Sequence, residues 1–189
     1  MALAIGMIEL SSIARGIDTC DYMVKAAQVD LLRASTVCPG KYIIIVAGDT
    51  GDVRASMAEG RKRGAQFVVD ELMIPNIHEQ LIPAISMTNQ VETRGAVGVL
   101  EFYSIASAIT AADVAAKAAN ITLIEVRTGY AIGGKGFVTL TGDVGAVRAA
   151  VEAASREAEL LVGTTVIPRP SKQVFDSLYF KGGTEKLFR

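Results

Sequence analysis

The chain has 189 residues, half of them hydrophobic and 21% charged, a composition that suits a folded globular protein with a large core and excludes a disordered or fibrous one. A formal net charge of −1 supplies no field for phosphate backbones or anionic lipid, so nucleic-acid and membrane-surface partners are set aside. No apolar run reaches the roughly 18 residues of a spanning helix, MALAIGMIEL lacks a signal peptide's basic region and cleavage site, and two cysteines are too few for a disulfide framework; the expected compartment is the cytosol.

The first element is a β-rich run, Ala2 to Leu10, followed by an amphipathic stretch, Ser12 to Gln28. There Ile13, Ile17, Cys20, Val24 and Ala27 recur at spacings of four and three, which predicts one core-facing stripe and makes Cys20 a small core residue. Asp21 and Lys25, four apart, predict a local ion pair worth roughly a few tenths of a kcal/mol, with a lysine at a subunit seam as the sharper alternative. A strand (Asp30 to Val37), a Pro-Gly break, a strongly apolar strand (Tyr42 to Ala47), a second helix and a last strand ending near Pro75 complete the order βαββαβ. The second helix opens at Gly48-Asp49, where the aspartate side chain is expected to accept hydrogen bonds from first-turn N–H groups. A carboxylate there repels phosphate, and neither GxGxxG nor GxxxxGK[ST] is present, so no nucleotide loop is expected.

The same order then repeats. Residues 4–29 align without gaps on 96–121, identical at eleven of 26 positions, and GKYIIIVAGDTGDVRA (40–55) matches GKGFVTLTGDVGAVRA (134–149). Asp21 and Lys25 recur as Asp113 and Lys117, Gly48-Asp49 as Gly142-Asp143, and Ile74-Pro75 as Ile167-Pro168. The expected architecture is therefore α/β, an α+β sandwich of two tandem βαββαβ domains packed side by side: 1–90, a short polar link NQVETRG, 95–178, and a tail, 179–189. That tail, YFKGGTEKLFR, is aromatic and basic, and is expected to fray, with docking of a partner as the alternative.

No catalytic constellation accompanies the repeat. The single histidine, His78, lies in the Pro-bounded segment PNIHEQLIP and is replaced by Ser171 in the second copy, which favours a turn or interface role. Glu9 and Glu101 recur at the ends of the first strands, in separate domains, and are expected to be structural. Cys38 is different: in Thr36-Val37-Cys38-Pro39-Gly40-Lys41 it stands on a loop between strands, mounted by Pro39 and Gly40. The second copy's Tyr130-Ala131-Ile132-Gly133-Gly134-Lys135 keeps the Gly-Lys without the thiol. One thiolate cannot cage a metal, so a site here requires several chains around a symmetry axis. Three thiolates suit an iron–sulfur cluster lacking a fourth protein ligand, whereas zinc ordinarily takes four ligands; a plain free thiol is the remaining reading.

The opening AIGMIEL/AVGVLEF, the DxxxKAA helix, GDVGAVRAA and the closing VIPRP resemble the domain of bacterial microcompartment shell proteins over roughly residues 2–178. A tandem pair is similar to the trimeric shell type, in which three chains form a six-domain pseudohexagonal tile, a pseudohexameric trimer. TVCPGK resembles the PduT-like subtype, and this implies one [4Fe-4S] cluster per trimer on the threefold axis, ligated by Cys38 from three chains. The resemblance further implies a central loop or pore lined by Val37, Pro39, Gly40, Ile132, Gly133 and Gly134. It places Lys25, Lys117 and Arg169 at tile edges facing other shell proteins, with Asn76 standing where Arg169 stands in the second copy, so that the six edges are not equivalent. The implied function is a non-enzymatic shell subunit in the bacterial cytoplasm, its cluster serving electron transfer across the shell or cluster delivery, with encapsulated redox enzymes as candidate partners. A cluster-free metabolite pore, or a regulatory trimer that binds a small molecule, are the alternatives.

Overall fold

A computed structural model describes residues 3–91, 95–157 and 159–179. Each copy builds one four-stranded antiparallel sheet. The first holds β1 (Ala4–Leu10), β2 (Asp30–Val37), β3 (Lys41–Gly48) and β4 (Val68–Ile74) in the order β2-β3-β1-β4, and the second holds β5 (Ala96–Phe102), β6 (Thr122–Thr128), β7 (Gly136–Gly142) and β8 (Leu161–Ile167) in the order β6-β7-β5-β8. Helices α1 (Ile13–Ala26) and α2 (Thr50–Gly64) cover the first sheet; α4 (Ile105–Ala118) and α5 (Val144–Glu157) cover the second. Two short helices, α3 (Leu81–Ile85) and α6 (Lys172–Tyr179), come after the last strand of each copy. The link residues 92–94 and the tail residues 180–189 lie outside the described residues.

Burial on both faces explains why the two central strands of the first sheet, β1 and β3, read as almost continuously apolar. In β1 and β3, Ala4, Ile8, Leu10, Tyr42, Ile44 and Val46 face α1 and α2 in one cluster. The intervening Ile5, Met7, Ile43 and Ile45 join a second cluster made largely of residues from the second domain. Both faces are dry, so alternation cannot separate apolar from polar positions. Each fully buried Ile contributes roughly 1.5–3 kcal/mol.

Helix α1 departs from the expected stripe. Cys20 is buried, as predicted, but it lies with Gly16, Thr19 and Met23, while Ile13, Ile17 and Val24 are exposed at 38%, 56% and 38%. Small residues bring α1 close to its sheet: a Cβ on Gly16 would sit 2.6 Å from Tyr42. The larger apolar side chains on the neighbouring shoulder are thereby left without cover in the protomer. In α4 the same positions are Ile105, Ile109 and Ala116, all buried, because α4 lies between its own sheet and the first domain.

The helix starts also divide. Ser12 and Ser104 cap α1 and α4, accepting from Arg15 N at 3.3 Å and Ser107 N at 3.0 Å. Asp49 occupies the N-cap of α2, yet its side chain accepts no capping hydrogen bond; only its carbonyl engages, from Val53 N at 2.9 Å. The expected aspartate cap is thus corrected to a backbone start, with Asp52 in the first turn facing the helix dipole.

Candidate functional site

The chain brings the β2–β3 loop and the β6–β7 loop, the two expected to be central, into contact. Cys38 N donates to Gly129 O at 3.2 Å, and a Cβ built on Gly134 would lie 2.5 Å from Cys38 O. The first loop is a tight turn in which Gly40 N donates to Val37 O at 3.0 Å, with Gly40 at φ +92°. Its counterpart turns through Gly129, Ala131, Gly133 and Gly134, all at positive φ, and Lys135 N donates to Ile132 O at 3.3 Å. Val37 and Gly134 are buried, Pro39, Gly40 and Gly133 are exposed, and Cys38 and Ile132 are half-buried. Cys38 is a free thiol.

Each loop is tied down by a lysine and a carboxylate that sequence patterns leave unconnected. Lys41 Nζ lies 2.6 Å from Glu9 Oε1, and Lys135 Nζ 2.9 Å from Glu101 Oε1. A signal for them exists: both residues recur in both copies, and antiparallel pairing of Leu10 with Tyr42, and of Phe102 with Gly136, sets the pairs alongside each other. Glu9 is 2% exposed, and burial pushes its carboxyl up from 4.5 against the lowering effect of Lys41. A raised folded pKa means that the contribution of this group to stability is complete below the unfolded value and declines as pH rises through the folded one. Glu9→Gln should therefore gain stability relative to the wild type as pH rises from about 4.5, read from urea midpoints of both proteins across acid to neutral pH; a constant difference would remove this assignment.

A second set of contacts joins the domains. Ser104 Oγ donates to Asp70 Oδ2 at 2.7 Å, and His78 N donates to Asp113 Oδ1 at 2.7 Å. His78 Nδ1 accepts from Gln80 N at 3.3 Å, so His78 sits in a turn at the domain seam. The amide of Gln80 grips the free edge of β6, with Nε2 donating to Ile121 O at 3.0 Å and Oε1 accepting from Leu123 N at 2.8 Å. Asn89 adds a 2.7 Å bond to Leu123 O. Near the loops, Arg33 donates to Thr128 across the seam, and burial together with the nearby charge of Arg127 lowers its pKa; Arg127 pairs with the buried Glu125.

The residues expected at tile edges lie on the surface and are not alike. Lys25 pairs with Asp21 at 2.6 Å in the open, whereas Lys117 pairs at 2.5 Å with Asp113, which is buried against the first domain. Asn76 and Arg169 are exposed, and their side chains form no hydrogen bond or ion pair among the described residues; Asn76 has φ +56°.

Among the described residues, no three His, Cys, Asp or Glu side chains of one protomer could hold a metal ion. No described helix is long and apolar enough to cross a membrane.

Comparison with known proteins agrees with this architecture. The BMC domain family model matches residues 4–77 and again 96–170. The bacterial microcompartment shell protein PduT of Citrobacter freundii is 45% identical over 178 residues, covering 93% of this chain and 97% of that one. The carboxysome assembly protein CcmO of Synechococcus elongatus is 30% identical over 192 residues, covering 93% of this chain and 68% of its own length. The crystal structure of a microcompartments protein from Desulfitobacterium hafniense superimposes with a TM-score of 0.87 at 46% identity, covering 93% of this chain and 99% of that one. Two matched copies spanning most of the chain, on a fold shared with these relatives, show that the chain belongs to the BMC domain family of bacterial microcompartment shell proteins, in its tandem form.

Proposed function

We propose that the chain is a structural, non-catalytic subunit of a microcompartment shell in the bacterial cytoplasm, and that three copies close into a pseudohexagonal tile with Cys38 near its centre. The observation that carries this reading is the mismatch between the two first helices. Ile105, Ile109, Ala116 and Asp113 of α4 are buried against the preceding domain, while their counterparts Ile13, Ile17, Val24 and Asp21 of α1 are exposed. The second sheet is correspondingly more open at its β8 edge: β8 is exposed through Leu161–Thr165, and Glu101 is 42% exposed where Glu9 is 2%. Repeating the internal rotation seats α1 of one chain on the second sheet of the next. A heterologous contact of this kind closes into a ring when the rotation closes, and six domains make three chains.

Within that ring Cys38 would be presented once per chain, which is the donor set of three thiolates that a [4Fe-4S] cluster accepts while leaving one iron open. Such a cluster supplies one-electron transfer when bound. The chain's own contribution is to hold the thiol: Gly129 O fixes the Cys38 backbone, Gly134 leaves room for it, and the Glu–Lys pairs anchor the strand starts on either side. Electron transfer across the shell, to or from encapsulated enzymes, is the role this arrangement favours.

Tile edges are tested at Lys25. Lys25 is 71% exposed, so Lys25→Ala leaves the protomer fold intact, and it should leave a soluble trimer while abolishing the sheets expected of the wild type, as seen by negative-stain microscopy. Sheets of unchanged extent would remove the edge assignment, and a wild type that never forms sheets would argue against a shell role.

A further inference from the structure

The two copies differ beyond their last strands, and the difference defines an unoccupied interface. In the first copy α3 leaves its own domain and lies on the next: Leu81, Ala84 and Ile85 are buried, and Gln80 pairs with the backbone of β6 like a short extra strand. The second copy continues in step after Ile167-Pro168, which aligns Gln173 with Gln80, Val174 with Leu81 and Leu178 with Ile85. Gln173 is exposed and makes no hydrogen bond among the described residues, and Val174 is 44% exposed where Leu81 is fully buried.

The complementary surface lies on the first domain. Strand β2 is the counterpart of β6, with Asp30 facing Ala47 as Thr122 faces Thr141, and it too is an edge strand. The matched register directs Val29 C=O and Leu31 N–H outward, as it directs Ile121 C=O and Leu123 N–H toward Gln80. Leu31 is 45% exposed, whereas Leu123 is fully buried. A shallow groove lined by Val24, Ala27, Gln28, Val29 and Asp30 runs beside this edge, and beside the edge of β6 the side chains of Gln80 and Asn89 line the groove and bond to the strand backbone.

We propose that α6 of each chain docks on the β2 edge of the neighbouring copy, with the Gln173 amide bridging Val29 C=O and Leu31 N–H and Val174 covering Leu31. The occupant is a second copy because both halves of the missing contact lie on this chain, and the chain already makes the same contact once internally. The inference rests on the trimer reading above and deepens it, since it makes the segment after β8 the latch of each seam. An unpaired sheet edge, open to pairing with other chains, is thereby closed.

Cross-linking tests it. In a Cys38→Ser background, Gln173→Cys with Asp30→Cys is treated with a short bis-maleimide, and Gln80→Cys with Thr122→Cys, whose sites line one groove, serves as the internal calibrator. Cys20 is buried and is present in every variant compared. The expected result is a ladder of linked dimers and trimers on a denaturing gel, absent when either cysteine is introduced alone, while the calibrator links only within one chain. A trimer in native solution that gives no ladder, or that links only within one chain, overturns the latch and leaves the tile reading standing. A background protein that is monomeric throughout overturns both. Independently, Gln173→Ala with Val174→Asp should raise the trimer dissociation constant at least tenfold; an unchanged constant overturns the latch.

Discussion

Ile17→Asp should leave a folded protomer and destroy the trimer. Ile17 is 56% exposed in the protomer, so the carboxylate there stays in water and stability should change by no more than about 0.5 kcal/mol. At each seam of the tile the same carboxylate must be buried without a partner, at a cost of several kcal/mol, and each 1.4 kcal/mol is a factor of ten in association. Sedimentation of Ile17→Asp should show monomer at concentrations where the tile reading expects three chains for the wild type, with an unchanged circular dichroism spectrum and a urea midpoint that no longer depends on protein concentration. The matched change in the second copy, Ile109→Asp, should behave oppositely, because Ile109 is fully buried inside one chain. That protein should lose about 4 kcal/mol or more, enough to unfold many domains. Equal behaviour of the two variants would contradict the assignment of α1 to a seam.

Gly134→Ala should be the most damaging single methyl in the central loops. Its φ of +80° costs an L residue about 1–2 kcal/mol, and the added Cβ lies 2.5 Å from Cys38 O, where backbone must shift, adding roughly 1–3 kcal/mol. Gly133→Ala shares the positive φ, at +68°, but its Cβ meets nothing within 4 Å, so only the conformational part remains. The prediction is a urea-derived loss of about 2–5 kcal/mol for Gly134→Ala against about 1–2 kcal/mol for Gly133→Ala. Iron retention after reconstitution should fall only in the first. Equal losses, or iron retained by both, would show that Gly134 does not position the Cys38 loop.

The repeat makes most of the fold legible. Strands β2 and β3, the two-domain order and the buried Cys20 are readable from periodicity and self-alignment, because duplication doubles every weak signal. The α1 stripe faces away from its own core for a physical reason: Ile13, Ile17 and Val24 do form an apolar face, but hydrophobicity does not say whether a face meets its own sheet or a neighbouring chain. Small residues decide it, since only Gly16 lets α1 approach Tyr42. The aspartate cap fails at Asp49 because its carbonyl alone closes the first turn. At the central loops the sequence displays Cys38, Pro39 and Gly40 but not the Glu9–Lys41 and Glu101–Lys135 pairs, which join residues over 30 positions apart through strand pairing. The clamp of Gln80 and Asn89 on β6 is likewise invisible in the sequence, because an amide pairing with a strand edge carries no periodicity.

Native mass and anaerobic iron and sulfide content, measured on one preparation of the wild type beside Cys38→Ser, test the tile and its centre together. The expected wild-type result is a three-chain particle carrying about four irons, with iron lost in Cys38→Ser while the trimer persists. A wild-type protein that is not trimeric would contradict the tile, and a trimer that stays iron-free after anaerobic reconstitution would contradict the cluster at Cys38.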